Sequence, residues 1–160
     1  MKTAQPRHAR LRQATMADVP GIFLIEKEAF SNPAEKFDRR RIRYLIRRPG
    51  SIVMVAYRGG EVLGWVAALP RRRLRTRWGR IYAVAVHRSA RGRGLGERLM
   101  RVAMRRLESL GVSYISLEVR TTNRAAIRLY RKLGFGEGRK IADYYGHGRD
   151  AVRMMRDGRT

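Results

Sequence analysis

The chain has 160 residues, no cysteine, and 37 lysines and arginines against 13 aspartates and glutamates, a formal charge of +24. That length is one domain's worth of chain, enough to bury roughly two thirds of the surface its unfolded form exposes. The lack of cysteine excludes disulfides and thiolate metal sites, and His8, His87 and His147 are too dispersed for a zinc cluster, so no metal is expected.

The charge attracts polyanions over a Debye length or more, which makes RNA or ribosome contact through the basic surface one expectation. Arginine supplies 32 of the 37 cations and is spread along the whole chain, so compositional bias is the other. Residues 1–10 are basic without an apolar run behind them, and no apolar stretch approaches the ~20 residues of a bilayer span. The expectation is a cytoplasmic protein with no membrane partner.

In chain order, residues 8–13 alternate (Ala9 and Leu11 against Arg10 and Arg12) and read as a short strand. Thr15 caps a helix whose buried stripe is Ile22, Phe23, Ile25, Ala29 and Phe30, with Pro20 early enough to be tolerated. Residues 37–46 read as a second helix, with Phe37, Ile42, Tyr44, Leu45 and Ile46 partly inward. Residues 51–57 and 61–69 form a hairpin through Arg58-Gly59-Gly60, and Pro70 closes its second strand. The run Arg71-Arg72-Arg73-Leu74-Arg75-Thr76-Arg77-Trp78 then reads as a solvated loop, or as an RNA contact in which Trp78 stacks.

Residues 81–86 are almost wholly apolar, as in a central strand covered on both faces. Leu95, Leu99, Ala103, Leu107 and Leu110 mark the inner stripe of a helix that Gly111 ends. Residues 112–119 alternate, with Tyr114, Ser116 and Glu118 on one face and Ile115, Leu117 and Val119 on the other. Asn123 caps a further helix, with Ala126, Ile127, Tyr130 and Leu133 inward and Gly134 just beyond it. Phe135 and Ile141 belong to a penultimate strand region and residues 151–155 to a last strand. Strand-helix alternation in the second half and a hairpin in the first predict a mixed α/β sheet.

Between the apolar strand and the helix lies Arg91-Gly92-Arg93-Gly94-Leu95-Gly96. The first N–H groups of a helix have no partner inside it, and the helix dipole makes them an anion site. Gly92, Gly94 and Gly96 let that backbone come close, while Arg91 and Arg93 supply charge at the rim. A tight turn needed only for packing is the competing reading. No Gly-Lys-Ser/Thr follows, and no acidic residue ends a following strand, so neither a P-loop nor a dinucleotide fold is expected.

The order Arg91-x-x-Gly94-x-Gly96, Leu117-Glu118-Val119-Arg120, Asn123, and Leu129-Tyr130-Arg131-Lys132-Leu133-Gly134-Phe135 resembles the GNAT superfamily of N-acetyltransferases. Within it the chain is similar to the branch that acetylates the N-terminal alanine of a small-subunit ribosomal protein. Asp143-Tyr144-Tyr145, Asp150-Ala151 and, in the first helix, Asp18, Pro20, Ile25 and Glu26 extend the likeness. The resemblance implies one GNAT domain over residues 1–160, with 1–7 and 156–160 flexible, and a mixed sheet of six to seven strands flanked by about four helices.

It also implies roles. Val84, Ala85 and Val86 would hold the pantetheine and acetyl carbonyl of acetyl-CoA; Arg91, Gly92, Arg93, Gly94, Leu95, Gly96 and Glu97 would cradle the pyrophosphate. Asn123 matches a position near the thioester, beside its adequate role as a helix cap. Glu118 matches the general base and Tyr130 the general acid; a salt bridge to one of many arginines, Arg120 included, and a core aromatic are their competing readings. Tyr144 and Tyr145 would line the acceptor peptide's channel. The implied reaction is acetylation of a protein N-terminus, a ribosomal protein leading. Lysine side chains or small amines are the alternative acceptors, and an RNA- or ribosome-associated module is the alternative function. Two departures lie on the acceptor side: Ala34 where the branch carries tryptophan, and Arg149 where it carries glutamate.

Overall fold

The structure is a computed structural model that describes residues 8–158. Seven strands form one mixed sheet in the order β1-β2-β3-β4-β5-β7-β6. These are β1 (Arg10–Gln13), β2 (Ile52–Arg58), β3 (Glu61–Arg73), β4 (Thr76–Val86), β5 (Tyr114–Arg120), β6 (Gly136–Ile141) and β7 (Ala151–Asp157). The helices are α1 (Val19–Ala29), α2 (Arg39–Arg47), α3 (Leu95–Ser109) and α4 (Arg124–Lys132). This is the mixed α/β sheet that the sequence predicts. No helix among the described residues is long and apolar enough to cross a membrane. Two compact units divide the chain: residues up to Ala67 with Ala83–Ala103, and Ala68–Tyr82 with the residues from Met104 onward.

In the first unit β1 pairs antiparallel with β2, from Arg10↔Tyr57 to Gln13↔Met54. Thr15 caps a short 3-10 turn rather than α1 itself, and Asp18 completes a capping box while accepting both Arg12 Nη atoms at 2.6 and 2.8 Å. Ile22 and Ile25 of α1, Ile42 of α2, and Val55, Trp65 and Val66 are fully buried, each contributing roughly 1.5–3 kcal/mol for an aliphatic side chain. Phe37 meets Trp65 edge to face at 5.6 Å. Helix α2 begins later than expected because Asp38 is its cap, accepting the Arg41 N–H at 2.7 Å. Tyr44 points outward, 56% exposed, not partly inward as the ragged apolar pattern implies.

The arginine run is not a loop. β3 continues through Pro70 to Arg73 and β4 resumes at Thr76, so these arginines flank the tip of a second hairpin that turns at Leu74, φ 52°. Alternation is invisible where nearly every residue is arginine. Pro70 is tolerated because β2 is seven residues long and β3 thirteen, so the far half of β3 extends past that neighbour. Trp78 stacks on Tyr114, with centroids 6.0 Å apart and planes 9° from parallel, so that face of the indole is occupied.

In the second unit β4 and β5 run parallel, from Trp78↔Tyr114 to Ile81↔Leu117, and β7 pairs antiparallel with both β5 and β6. A Cβ on Gly79 would lie 2.6 Å from Leu107 Cδ1; only glycine lets that leucine seat on the strand. Leu107 is fully buried, whereas Leu110 lies 41% exposed past the helix end and drops out of the predicted stripe. Arg156 and Asp157, expected in a loose tail, belong to β7, and the Gly158 N–H donates to Ser113 O at 3.0 Å. Residues 1–7 of the expected flexible ends lie outside the described residues. β6 is exposed along almost its whole length, with a bulge between Glu137 and Lys140.

Candidate active site

The expected anion cradle belongs to the first unit. The β4–β5 ladder ends at Ile81, so Val84, Ala85 and Val86 lie beyond it; the next residue, His87, donates its N–H to Leu63 O at 2.8 Å. Gly92 and Gly94 both have φ of 73°, where a Cβ is disfavoured by roughly 1–2 kcal/mol. Gly96 is an ordinary helical residue, since α3 already begins at Leu95. The first helical bond is Arg98 N to Gly94 O at 3.1 Å, which leaves the N–H groups of Leu95, Gly96 and Glu97 with no partner inside the helix. A Cβ built at Gly92 or Gly94 would meet nothing within 4 Å, so the space beside the loop is open. Arg91 Nε donates to Val86 O at 3.0 Å, tying the loop to the strand end, and Arg93 is exposed. The Glu97 side chain pairs with Arg101 at 2.9 Å. Open space, a helix N-terminus and a cationic rim fit a pyrophosphate.

Glu118 belongs to the second unit. Register explains its surroundings: on β7, Arg153 sits directly opposite it, and on β4, Arg80 sits opposite Ser116, two residues along the same face. Arg153 Nε donates to Glu118 Oε1 at 2.9 Å, and Arg80 reaches Oε2 through Nε at 3.1 Å and Nη2 at 3.0 Å. The Glu118 side chain is only 5% exposed, against 29% for Arg80 and 42% for Arg153. Arg80 Nη2 also donates to the Tyr144 hydroxyl at 2.8 Å, and its guanidinium lies 4.6 Å from the Tyr82 ring centroid. Burial opposes the charge on Arg80, but Glu118, Tyr144 and Tyr82 outweigh it and raise its pKa.

Tyr144 and Tyr145 sit in the turn between β6 and β7, where two aspartates set the backbone. Asp150 accepts the Asp143 N–H at 2.9 Å and Asp143 accepts the Gly148 N–H at 2.6 Å. The two rings meet edge to face at 4.8 Å, and the Tyr145 hydroxyl donates to Glu118 O at 3.3 Å. Glu118, Tyr144 and Tyr145 therefore lie together, joined through Arg80 and the Tyr145 hydroxyl.

Tyr130, on the inner face of α4, is buried against Phe135 with centroids 6.1 Å apart. Burial pushes its phenol pKa up. No hydrogen bond to its hydroxyl occurs among the described residues. Asn123 Oδ1 accepts the Ala126 N–H at 3.2 Å, the cap expected for α4. A basic groove of 580 Å³ beside α4, lined by Arg124, Arg128, Arg131 and Lys140 among others, contains none of the predicted site residues. No metal-binding group occurs among the described residues.

Sequence reasoning misses Arg80 and Arg153, which reach Glu118 only through strand pairing. It gives Glu26 no role, yet this residue is fully buried on α1, with Oε1 accepting Trp65 Nε1 at 2.8 Å and Oε2 accepting the Phe37 N–H at 2.9 Å. Desolvation raises its pKa to about 7, against the opposing pull of Phe37, Trp65 and Arg41. Its place on the Ile22–Ile25 stripe is the signal that could have found it.

A model of the acetyltransferase (GNAT) family matches residues 19–135. The chain belongs to that family. Members use acetyl-CoA, and this GNAT protein is an acetyltransferase. It is 30% identical over 156 residues to an N-alpha-acetyltransferase of Sulfurisphaera tokodaii, covering 91% of this chain and 90% of that one. Over 160 residues it is 29% identical to an L-methionine sulfoximine/L-methionine sulfone acetyltransferase of Pseudomonas aeruginosa, covering 92% and 93%. The crystal structure of a ribosomal-protein-alanine N-acetyltransferase from Brucella melitensis aligns with a TM-score of 0.76 at 26% identity, covering 92% of this chain and 99% of that one.

Proposed function

We propose that this GNAT protein acetylates the α-amino group at a protein N-terminus, with a ribosomal protein as the leading substrate. The observation that carries the reading is Glu118, an acid only 5% exposed and held in one orientation by neighbouring strands, with Tyr145 on its own carbonyl. The N-alpha-acetyltransferase and the ribosomal-protein-alanine enzyme among its relatives support that acceptor.

Bound acetyl-CoA supplies an acyl group already activated as a thioester. Gly92 through Glu97 would hold its pyrophosphate with Arg91 and Arg93 at the rim, Val84, Ala85 and Val86 would hold the pantetheine and acetyl carbonyl through their backbone, and Asn123 matches a family position that contacts the cofactor near the thioester. A peptide α-amino group titrates near pH ~8, so most of it must lose a proton before it can attack. Glu118 accepts that proton on Oε1, whose one bond is to the more exposed Arg153, rather than on Oε2, which Arg80 holds twice. Tyr130, kept protonated by burial, gives its proton to the departing sulfur. No covalent enzyme intermediate is required, in keeping with a chain that lacks cysteine. Tyr144 and Tyr145 line the acceptor's path.

Purified protein, acetyl-CoA and three acceptors test this: a peptide with a free N-terminal alanine, the same peptide α-blocked with one free lysine, and spermidine. Mass spectrometry is expected to find the acetyl increment on the first. Acetylation of the lysine or the polyamine in its place overturns the acceptor. Tyr130→Phe is expected to slow transfer at least about ten-fold with the melting curve unchanged; wild-type rates would return Tyr130 to a packing role. A comparison of protein N-termini from cells with and without this protein then identifies the natural acceptor.

A further inference from the structure

Two guanidinium groups share one carboxylate in the second unit. Arg80 is anchored four ways: twice to Glu118 Oε2, once to the Tyr144 hydroxyl, and over the Tyr82 ring. Arg153 makes a single contact of 2.9 Å, through Nε to Oε1, and its side chain is 42% exposed. Its Nη groups, two of the three nitrogens of a fork shaped for a carboxylate, form no hydrogen bond among the described residues. The cluster thus carries one positive charge more than its single acid neutralises, and the looser of the two cations faces solvent.

We propose that the acceptor amine carries its own carboxylate, and that this carboxylate takes Arg153 away from Glu118. The exchange replaces one guanidinium–carboxylate pair by another, so no cation is stranded, and it frees Oε1 at the moment the acceptor arrives. The acceptor's ammonium then loses one proton to Oε1, and the nitrogen lone pair forms the N–C bond as the C–S bond breaks and its electron pair departs on sulfur. The nitrogen's second proton makes good the one that Tyr130 gives the sulfur, so the products are an amide and a thiol, and the proton on Glu118 passes to water. The acceptor's carboxylate is unchanged throughout. An acceptor with a neutral group in that place leaves Arg153 on Glu118 and the base engaged. The carboxylate can come from an acidic second residue of a peptide or from the α-carboxylate of a free amino acid. This inference rests on Glu118 acting as the base in the proposed function.

The test is steady-state acetylation by the full chain with four acceptors: peptides beginning Ala-Glu and Ala-Gln but otherwise identical, free alanine, and alaninamide. At least about a ten-fold higher kcat/KM is expected for Ala-Glu over Ala-Gln, or for alanine over alaninamide, with part of the gain in kcat because the base is released as well as the acceptor bound. The first pair reports a side-chain carboxylate and the second an α-carboxylate. Arg153→Gln is expected to erase the preference, and Arg153→Lys, which keeps charge without the fork, to restore part of it. Melting curves confirm that both variants fold. Equal turnover within each pair, or a preference that survives Arg153→Gln, overturns the inference and leaves N-terminal acetylation standing. Turnover of none of the four removes both.

Discussion

Two buried glutamates, one in each unit, have opposite surroundings. Glu26 on α1 is fully buried and meets neutral donors, the indole of Trp65 and the backbone of Phe37. Glu118 on β5, almost as buried, is held by the charged forks of Arg80 and Arg153. Neutral donors satisfy the lone pairs of Glu26 but return too little of the solvation its charge has lost, so its pKa climbs to about 7. Arg41, its guanidinium 4.3 Å from the Phe37 ring centroid, pulls the value down but does not outweigh the desolvation. Burial alone therefore does not tell what a carboxylate is for. One fastens the segment between α1 and α2 to β3, and the other is clamped between two arginines of neighbouring strands.

The contrast breaks first at Glu118. Glu118→Gln is expected to lower turnover by about 10²- to 10⁴-fold, the usual worth of a general base, with acetyl-CoA affinity by calorimetry little changed. Unchanged rates from pH 6 to 9 would take Glu118 out of the mechanism.

Glu26 is expected to govern stability rather than rate. Its folded pKa, about 7, lies above the ordinary 4.5, so the folded chain holds the proton more tightly. The stabilisation is complete below the ordinary value and is lost as pH rises through about 7, an effect of up to roughly 3 kcal/mol. Glu26→Gln removes this dependence. Its amide can satisfy only one of the two donors, at a cost of roughly 1–3 kcal/mol. Denaturant unfolding is expected to show the variant furthest below the wild type at pH 5, with the gap closing by pH 8. A gap that widens with pH would mean that Glu26 is folded as a carboxylate.

The smallest effect belongs to Arg41. Arg41→Gln removes the weak attraction that favours ionised Glu26, so the midpoint of the stability–pH curve is expected to move upward by a fraction of a pH unit. No movement would assign the whole shift to desolvation.

Local pattern made much of this fold legible. The Gly59-Gly60 hairpin, the Leu95–Leu107 stripe, the alternation across β5 and the Asn123 cap each follow from a spacing of a few residues, and each is found. The extension of β3 and β4 was hidden because arginine at successive positions erases any period of two, and because a proline inside a strand is acceptable only where a neighbour has run out. The shape of the loop before α3 was readable from Gly92 and Gly94, since the demand for positive φ is written in residue type. The clamp on Glu118 was not, since Arg80 and Arg153 are brought to it only by the register of three strands.

The outermost strand on one side of the sheet, β6, combines two glycines, Arg139, Lys140 and a bulge. A stray extended segment finds there neither a straight row of amides nor an apolar landing, and meets like charge if it comes from a second copy. That margin is a poor template for the addition of a further strand.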